Sequence, residues 1–298
     1  MKMRYTFLNQ GFFDPKVRYD FLFVGLPMCS LPNLSGVELA SSHIRILSQR
    51  YANNEPPIYP LKIYNPNEGY ILHEAKIADF GDINDDLRKL KLSIDKIPMK
   101  NIVPIFVGGD HSVTLPILQS IGQNSDFVTV IHFDAHSDYL DDFDYIPHGS
   151  VMREVKKLDK IKKIVHIGLR GNLNTGPGIE QSKTEGNMIF TNIDVNYDID
   201  YVQKIISSIN CENVYISIDI DFFDPSIAPA TNNPEHDGIL YAKTLVLLKA
   251  ICSNFKVNGV DIVEYNPKYD IANITGLLVT SLIMELMSYI KYKGMCIK

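Results

Sequence analysis

FVTVIHFDAHSD (residues 127–138) is the stretch that decides the fold. Its first half is a short, nearly continuous apolar run, as expected of a strand buried on both faces. Its second half sets Asp134, His136 and Asp138 at alternate positions. In extended backbone, alternate side chains point the same way, so the three can face one point. Carboxylates that close repel one another unless they are solvated, protonated or bound to cations. The chain continues with YLDDFDYIPHGS (residues 139–150), which adds Asp141, Asp142, Asp144 and His148.

The same pattern recurs. NIVPIFVGG (101–109) runs into Asp110 and His111, NVYISIDID (213–221) ends in Asp219 and Asp221, and VNGVDIVEYNP (257–267) carries Glu264. YDFLFVGLP (19–27) and KIVHIGLRG (163–171) are two further strand candidates. Helix-like segments lie between: 82–97, 112–121, 198–209 and 242–255. Apolar strands alternating with helices predict an α/β fold, with a mainly parallel sheet covered on both faces in three layers, α/β/α. Ligands of such sheets bind beyond the carboxyl ends of the strands. Four acidic strand ends are therefore expected to meet at one edge.

The bulk composition agrees. A chain of 298 residues, 45% hydrophobic and 21% charged, holds enough apolar mass for one large α/β domain spanning residues 1–298. The net charge of −6, with no long basic run, argues against a nucleic-acid partner. Cys29, Cys211, Cys252 and Cys296 are scattered without a C-x-x-C pair. They read as reduced thiols, and a cytoplasmic location is expected. The first ten residues, MKMRYTFLNQ, have no long apolar stretch after their positive charges, so no signal peptide is expected. The apolar run 274–290 carries Glu285 and several hydroxyl residues. It is only about long enough to span a bilayer and reads as a buried C-terminal helix, with no membrane partner. The Pro- and Asn-rich piece 53–69 reads as a surface excursion.

Asp134, Asp138, Asp219 and Asp221 with His111 and His136 make four carboxylates and two imidazoles. That mixture suits Mn²⁺, Fe²⁺ or Zn²⁺, and no thiolate is present to favour a softer ion. Six side chains exceed what one catalytic ion needs and fit two ions sharing bridging carboxylates. Two ions about 3.5 Å apart would bind a water between them and lower its pKa, a device for hydrolysis. A metallophosphoesterase also uses D-x-H, but here G-D-x-x-D (81–85) precedes it and no G-N-H follows. His132 and His166 read as satisfied core histidines inside strands. His43, His73 and His236 have no partner that the sequence argues for.

GGDHS (108–112), HFDAHSD (132–138), SIDIDFFDPSIAP (217–229) and DIVEYNPKYD (261–270) resemble, in order, the signature blocks of the ureohydrolase superfamily, which holds arginases, agmatinases and formimidoylglutamases. ADFGD (78–82) and IGLRG (167–171) resemble two weaker blocks. The resemblance implies two Mn²⁺ per chain and hydrolysis of a guanidinium group to urea and an amine. It assigns His111 and Asp138 to one ion, His136 and Asp221 to the other, and Asp134 and Asp219 to both. It implies His148 as a proton carrier near the leaving amine and Glu264 as the carboxylate that pairs with the guanidinium. It also implies a homo-oligomer, trimeric or hexameric.

Among the members, agmatinases are resembled most. YLDDFDYIP (139–147), between Asp138 and His148, has agmatinase-like length and is acidic. Arginases carry there a longer hydroxyl-rich loop that grips the amino-acid carboxylate. Agmatine is a small cation without a carboxylate, and an acidic rim would attract it. Two departures concern the substrate entrance and leave the metal residues untouched. ATNNPEHDG (230–238) replaces both glycines of the usual Gly-Thr-Gly-Thr-Pro stretch, and GLPMCSLPNLSG (25–36) lacks an acidic residue often found after its proline.

Overall fold

The computed structural model describes residues 5–52, 61, 63–122, 127–140 and 147–294. The acidic trio Asp141, Asp142 and Asp144, Cys296 and most of the 53–69 excursion lie outside the described residues. In chain order the main elements are β1 (Phe21–Leu26), α1 (Ala40–Ser48), β2 (Ile63–Asn65), β3 (Gly69–Ile71), β4 (Ile77–Asp82), α2 (Leu87–Ile94), β5 (Val103–Gly108) and α3 (Thr114–Ile121). Next come β6 (Val128–Phe133), α4 (Val151–Lys156), β7 (Ile161–Leu169), α5 (Gly176–Thr184), β8 (Met188–Thr191), α6 (Asn192–Tyr197) and α7 (Tyr201–Ser208). β9 (Asn213–Asp219), α8 (Tyr241–Asn254), β10 (Lys256–Val263) and α9 (Ile274–Tyr292) complete the chain.

Eight strands form one parallel sheet in the order β4-β1-β5-β10-β9-β6-β7-β8, and β2 and β3 make a small antiparallel pair. β1 and β6 are buried at every position, so their sequences read as near-continuous apolar runs rather than alternating. Alternate residues feed two cores. Phe21, Phe23, Ile131 and Phe133 pack with Ile44 of α1, Leu248 of α8 and Ile283 of α9. Leu22, Val24, Val128 and Val130 pack with Leu90 of α2, Ile117 of α3 and Met152 of α4. The three layers are those expected. The strands that end in acids, β5, β10, β9 and β6, are consecutive in the middle of the sheet.

All six strand candidates are strands. The reading of 82–97 as helix starts too early. Asp82 ends β4, and Asp86 caps α2 by accepting from the Arg88 and Lys89 N–H groups. β4 escapes a search for apolar runs because its polar positions are used internally. α9 is long and apolar enough to cross a bilayer, yet Val279, Leu282, Ile283, Leu286 and Met287 on it are buried in the first core. It is the buried helix the sequence suggests.

Asp79 and Asp82 of β4 receive Arg45, whose side chain is 1% exposed. Arg45 Nε and Nη2 donate to the two Asp79 oxygens at 2.8 and 2.9 Å, and Nη1 donates to Asp82 Oδ1 at 2.6 Å. Its guanidinium also lies over the Phe23 ring, 4.8 Å from the centroid. Removing one partner of a buried ion pair leaves an uncompensated charge, so Arg45→Met should lower unfolding free energy by about 3–5 kcal/mol. Urea unfolding measures this; a loss under about 1 kcal/mol would show that the backbone N–H groups of Phe7 and Gly81 satisfy Asp79 without it.

Candidate metal centre

Each of the four central strands delivers its polar residues by a tight turn. After β5, Gly109 passes against the Met28 carbonyl, where a Cβ would sit 1.6 Å from the oxygen. Asp110 then caps a short turn, accepting from Ser112 N, and His111 is its first residue. After β9, Asp219 caps the turn Ile220–Phe222 by accepting from Asp221 N at 2.8 Å. After β6 and β10, Asp138 (φ +50°) and Glu264 (φ +62°) take left-handed backbone. Such φ values are uncommon outside glycine and concentrate at functional sites, where surrounding structure enforces them.

The predicted ligands meet. His111 Nδ1 lies 3.2 Å from Asp134 Oδ2, 3.0 Å from Asp138 Oδ2 and 3.5 Å from Asp219 Oδ2. His136 Nδ1 lies 3.0 Å from Asp221 Oδ2 and 3.5 Å from Asp134 Oδ1. The ligand atoms fall into two groups, one holding His111, His132 and Asp138, the other His136 and Asp221, with Asp134 in both. Asp219 stands slightly apart, against the first group. His111, Asp134, Asp219 and Asp221 are almost fully buried and Asp138 is 8% exposed.

The charges conflict in the absence of cations. Burial pushes Asp219 well above the usual carboxylate range, and the Asp221 and Asp134 charges push it further. Asp221 is raised for the same reasons, burial first. Burial opposes the charged form of Asp134 as well, but His132, His111 and His136 hold it well below an ordinary carboxylate. Burial disfavours a protonated His136, yet Asp221 and Asp134 push it up to about 12. His111 is likewise held well above an ordinary imidazole, against burial, by Asp134, Asp138 and Asp219. His111 Nδ1, Asp134 Oδ2 and His136 Nε2 are buried without a hydrogen-bond partner among the described residues. Oxygen and imidazole donors that approach closely without hydrogen bonding one another fit divalent cations between them.

Other groups orient the donors. His111 Nε2 pairs with Ser217 Oγ at 2.9 Å, and Ser217 donates to Asp261 Oδ1 at 2.7 Å. Asp261 Oδ2 also accepts from Tyr215 and Thr114 hydroxyls. This leaves Nδ1 as the ligating nitrogen of His111. Glu235 Oε1 lies 3.7 Å from His136 Nε2. Ser217 is two residues before Asp219, so the alternation that found the ligands could have found it; Glu235 arrives on a loop and has no such signal. His132, expected as a core histidine, is buried as expected, but its Nε2 also sits 2.9 Å from Asp134 Oδ2.

Of the two further residues of the expected site, Glu264 adjoins this cluster. Glu264 Oε1 accepts from His111 N at 2.9 Å, while Oε2 is buried with no partner among the described residues. Burial, and then the Asp110 charge, push the Glu264 carboxyl up to about 8. His148 follows residues 141–146, which lie outside the described residues, and the described residues on either side meet near Asp138. Leu140 N donates to Gly149 O at 3.0 Å, and the Asp138 carbonyl accepts from Met152 N at 3.1 Å. His148 Nδ1 is buried and has no partner among the described residues.

Comparison with known proteins agrees with this geometry. Residues 19–288 match the model of the arginase family. The human protein named guanidino acid hydrolase, mitochondrial, is 29% identical over 283 residues, covering 90% of this chain and 77% of that protein. The mitochondrial agmatinase of Gallus gallus is also 29% identical over 283 residues, covering 90% and 80%. Among solved structures, proclavaminate amidino hydrolase from Streptomyces clavuligerus superposes with a TM-score of 0.79 at 26% identity, covering 97% of both chains.

A metal takes imidazole as the neutral base, whereas His111 and His136 hold protons near neutral pH when no ion is bound. Loading Mn²⁺ should therefore release protons, those of the two imidazoles included. Calorimetric titrations in buffers of different ionisation enthalpy read this as a slope, and a flat response would remove the two imidazoles from the ligand set.

Proposed function

The chain belongs to the arginase family, and from that premise we propose that it hydrolyses the guanidinium group of a small cationic substrate, agmatine first, to urea and an amine. One observation carries the reading: two donor groups share Asp134, beside a buried glutamate with one free oxygen. His111 and Asp138 would hold one ion, His136 and Asp221 the other, with Asp134 and Asp219 shared. Mn²⁺ is the proposed resident ion, on the mixed oxygen and imidazole donors. Bound ions of this kind lower the pKa of a water molecule and so supply a nucleophile near neutral pH.

The chain's own residues do the rest. Glu264 Oε1 is fixed by His111 N, so Oε2 is presented in a set direction. A carboxyl raised by burial is unstable as an anion until a cation arrives, and a guanidinium supplies that cation with matching N–H donors. His148 carries the proton that the leaving amine needs when the carbon–nitrogen bond breaks. The amine departs protonated and urea stays neutral. The buried walls around the cluster exclude bulk water and strengthen these interactions.

Agmatine is favoured by the short, acidic 139–147 segment and by the absence, among the described residues, of an offered cation behind the cluster. Arg170 lies there, but its guanidinium donates to the carbonyls of His236, Asp221, Phe223 and Glu235 among others. The altered 230–238 segment is tied back into the fold: Ala230 N donates to Thr275 Oγ1 at 3.1 Å, and Asn232 Oδ1 accepts from Asn266 at 3.0 Å. A guanidino acid is the second reading, since the human guanidino acid hydrolase and the Gallus gallus agmatinase share the same identity with this chain. Assembly as a trimer or hexamer belongs to the same proposal.

Urea release from agmatine, arginine and 4-guanidinobutyrate, with Mn²⁺ added, should give kcat/KM at least about tenfold higher for agmatine, the effect of about 1.4 kcal/mol of discrimination. A preference for guanidinobutyrate moves the assignment to guanidino acids and keeps the chemistry. His148→Ala should retain both ions and lose about 10²–10⁴ in kcat, while His136→Ala should lose one ion and nearly all activity. Metal analysis of the two variants separates the roles; if His148→Ala empties the site, its assignment as proton carrier is wrong.

A further inference from the structure

Glu264 sits where the chain leaving β10 stops alternating. Val260 and Ile262 pack in the first core, while Val263 packs in the second. Continued alternation would send Tyr265 to the second core as well. Instead Tyr265 packs in the first core, 1% exposed. The left-handed backbone of Glu264, φ +62°, makes the change. Residues other than glycine keep such backbone only where their surroundings enforce it. What holds the chain just beyond Glu264 therefore bears on where its carboxyl points.

The Tyr265 hydroxyl is held from two sides. It donates to Asp270 Oδ2 at 2.7 Å, and His43 Nδ1 of α1 lies 2.7 Å from the hydroxyl oxygen. The His43 and Tyr265 rings stack, with centroids 6.0 Å apart and planes 19° apart. Burial, and then Asp270, push the Tyr265 phenol far above its ordinary value, so it keeps its proton. Asp270 is itself fixed. Its oxygens accept from Thr275 N at 3.0 Å and from Gly276 N at 2.8 Å, in the first turn of α9. A Cβ at Gly276 would stand 2.4 Å from the Tyr265 hydroxyl oxygen, so glycine leaves the room that the hydroxyl fills.

Three parts of the fold thus meet at one oxygen: α1, the start of α9 and the segment that follows β10. Main-chain bonds anchor the residues on either side of Tyr265. Glu264 N donates to Gly109 O at 2.8 Å, and Asn266 N donates to Ala230 O at 2.9 Å. Between them, the buried Tyr265 side chain holds the turn from the core side. His43, Tyr265 and Asp270 have no role in the chemistry described so far.

We propose that His43 and Asp270 clamp the Tyr265 hydroxyl and so hold the left-handed turn that aims Glu264 at the guanidinium of the substrate. The three are positioning residues, and they act through Glu264. The inference rests on reading Glu264 as the partner of the guanidinium. Without the hydroxyl, the Tyr265 ring has only packing to hold it. The turn then relaxes toward extended backbone, and the Glu264 carboxyl leaves its place against His111 N. Glu264 meets the cation in the bound substrate as well as in the reaction, so the loss falls on binding more than on turnover.

Tyr265→Phe removes the hydroxyl and keeps the ring. Crystals of this variant should show Glu264 Oε1 beyond hydrogen-bond distance of His111 N. With Mn²⁺ added, KM for agmatine should rise about tenfold, with kcat within about threefold of the parent. In a Glu264→Gln background, the same change should alter KM by less than about twofold, because Tyr265 acts through the residue already altered. A Tyr265 that only stabilises the fold would lower Tm and leave KM unchanged. A parent-like Glu264 in the crystals, or a KM loss repeated in full in the Glu264→Gln background, overturns the clamp. If Tyr265→Phe fails to fold, His43→Leu cuts the other arm at the hydroxyl, and the same two readings decide. A parent chain that releases urea from no guanidino compound overturns the functional reading, and the position of Glu264 in the variant crystals still decides the clamp.

Discussion

Four buried carboxylates within a few ångströms cannot all be ionised without compensating positive charge, and much of this structure is arranged around that constraint. Asp134, Asp138, Asp219 and Asp221 lie at the carboxyl ends of the adjacent strands β6 and β9, and the next strands in the sheet, β10 and β5, bring Glu264 and His111. The imidazoles of His111 and His136 compensate part of the charge when they are protonated. Two divalent ions would compensate more, and would free those protons. Asp138 and Glu264 take left-handed backbone at the cluster, a local cost that the surrounding packing sustains.

The orientation of the donors is set by strand register. A parallel sheet places residues of equal register side by side, so a polar row can run across it under the active edge. Ser217 receives His111 on one side and Asp261 holds Ser217. His132 meets Asp134, and His166 meets His132. The same row thus reaches one ligand of the first metal group and the carboxylate common to both. Strand pairing, a property of the backbone, thus decides which side chains stand against the cluster.

Much of this was legible in the sequence, for physical reasons. Strands buried on both faces read as plain apolar runs, so β1, β5, β6, β7, β9 and β10 were visible, and the alternation of side chains marked Asp134, His136, Asp138, Asp219 and Asp221 as neighbours. β4 was hidden because Asp79 and Asp82 break its apolar pattern to bind Arg45 from α1, a partner 34 positions away in the chain for Asp79. β8 has only four residues, too few for a pattern. His132 and His166 looked like ordinary core residues because their partners lie on neighbouring strands, and register between strands leaves no mark within either one. Glu235 reaches His136 from a loop, which has no period to read. The acidic trio 141, 142 and 144 suggested a filter for cations, and lies outside the described residues.

The central claim is that two ions sit in this cluster, divided by Asp134. Anomalous diffraction at the manganese edge from crystals of the Mn²⁺-loaded protein tests it most directly. The account predicts two peaks per chain, one against His111 and Asp138, the other against His136 and Asp221, both in reach of Asp134. A single peak, or peaks away from these side chains, would contradict it.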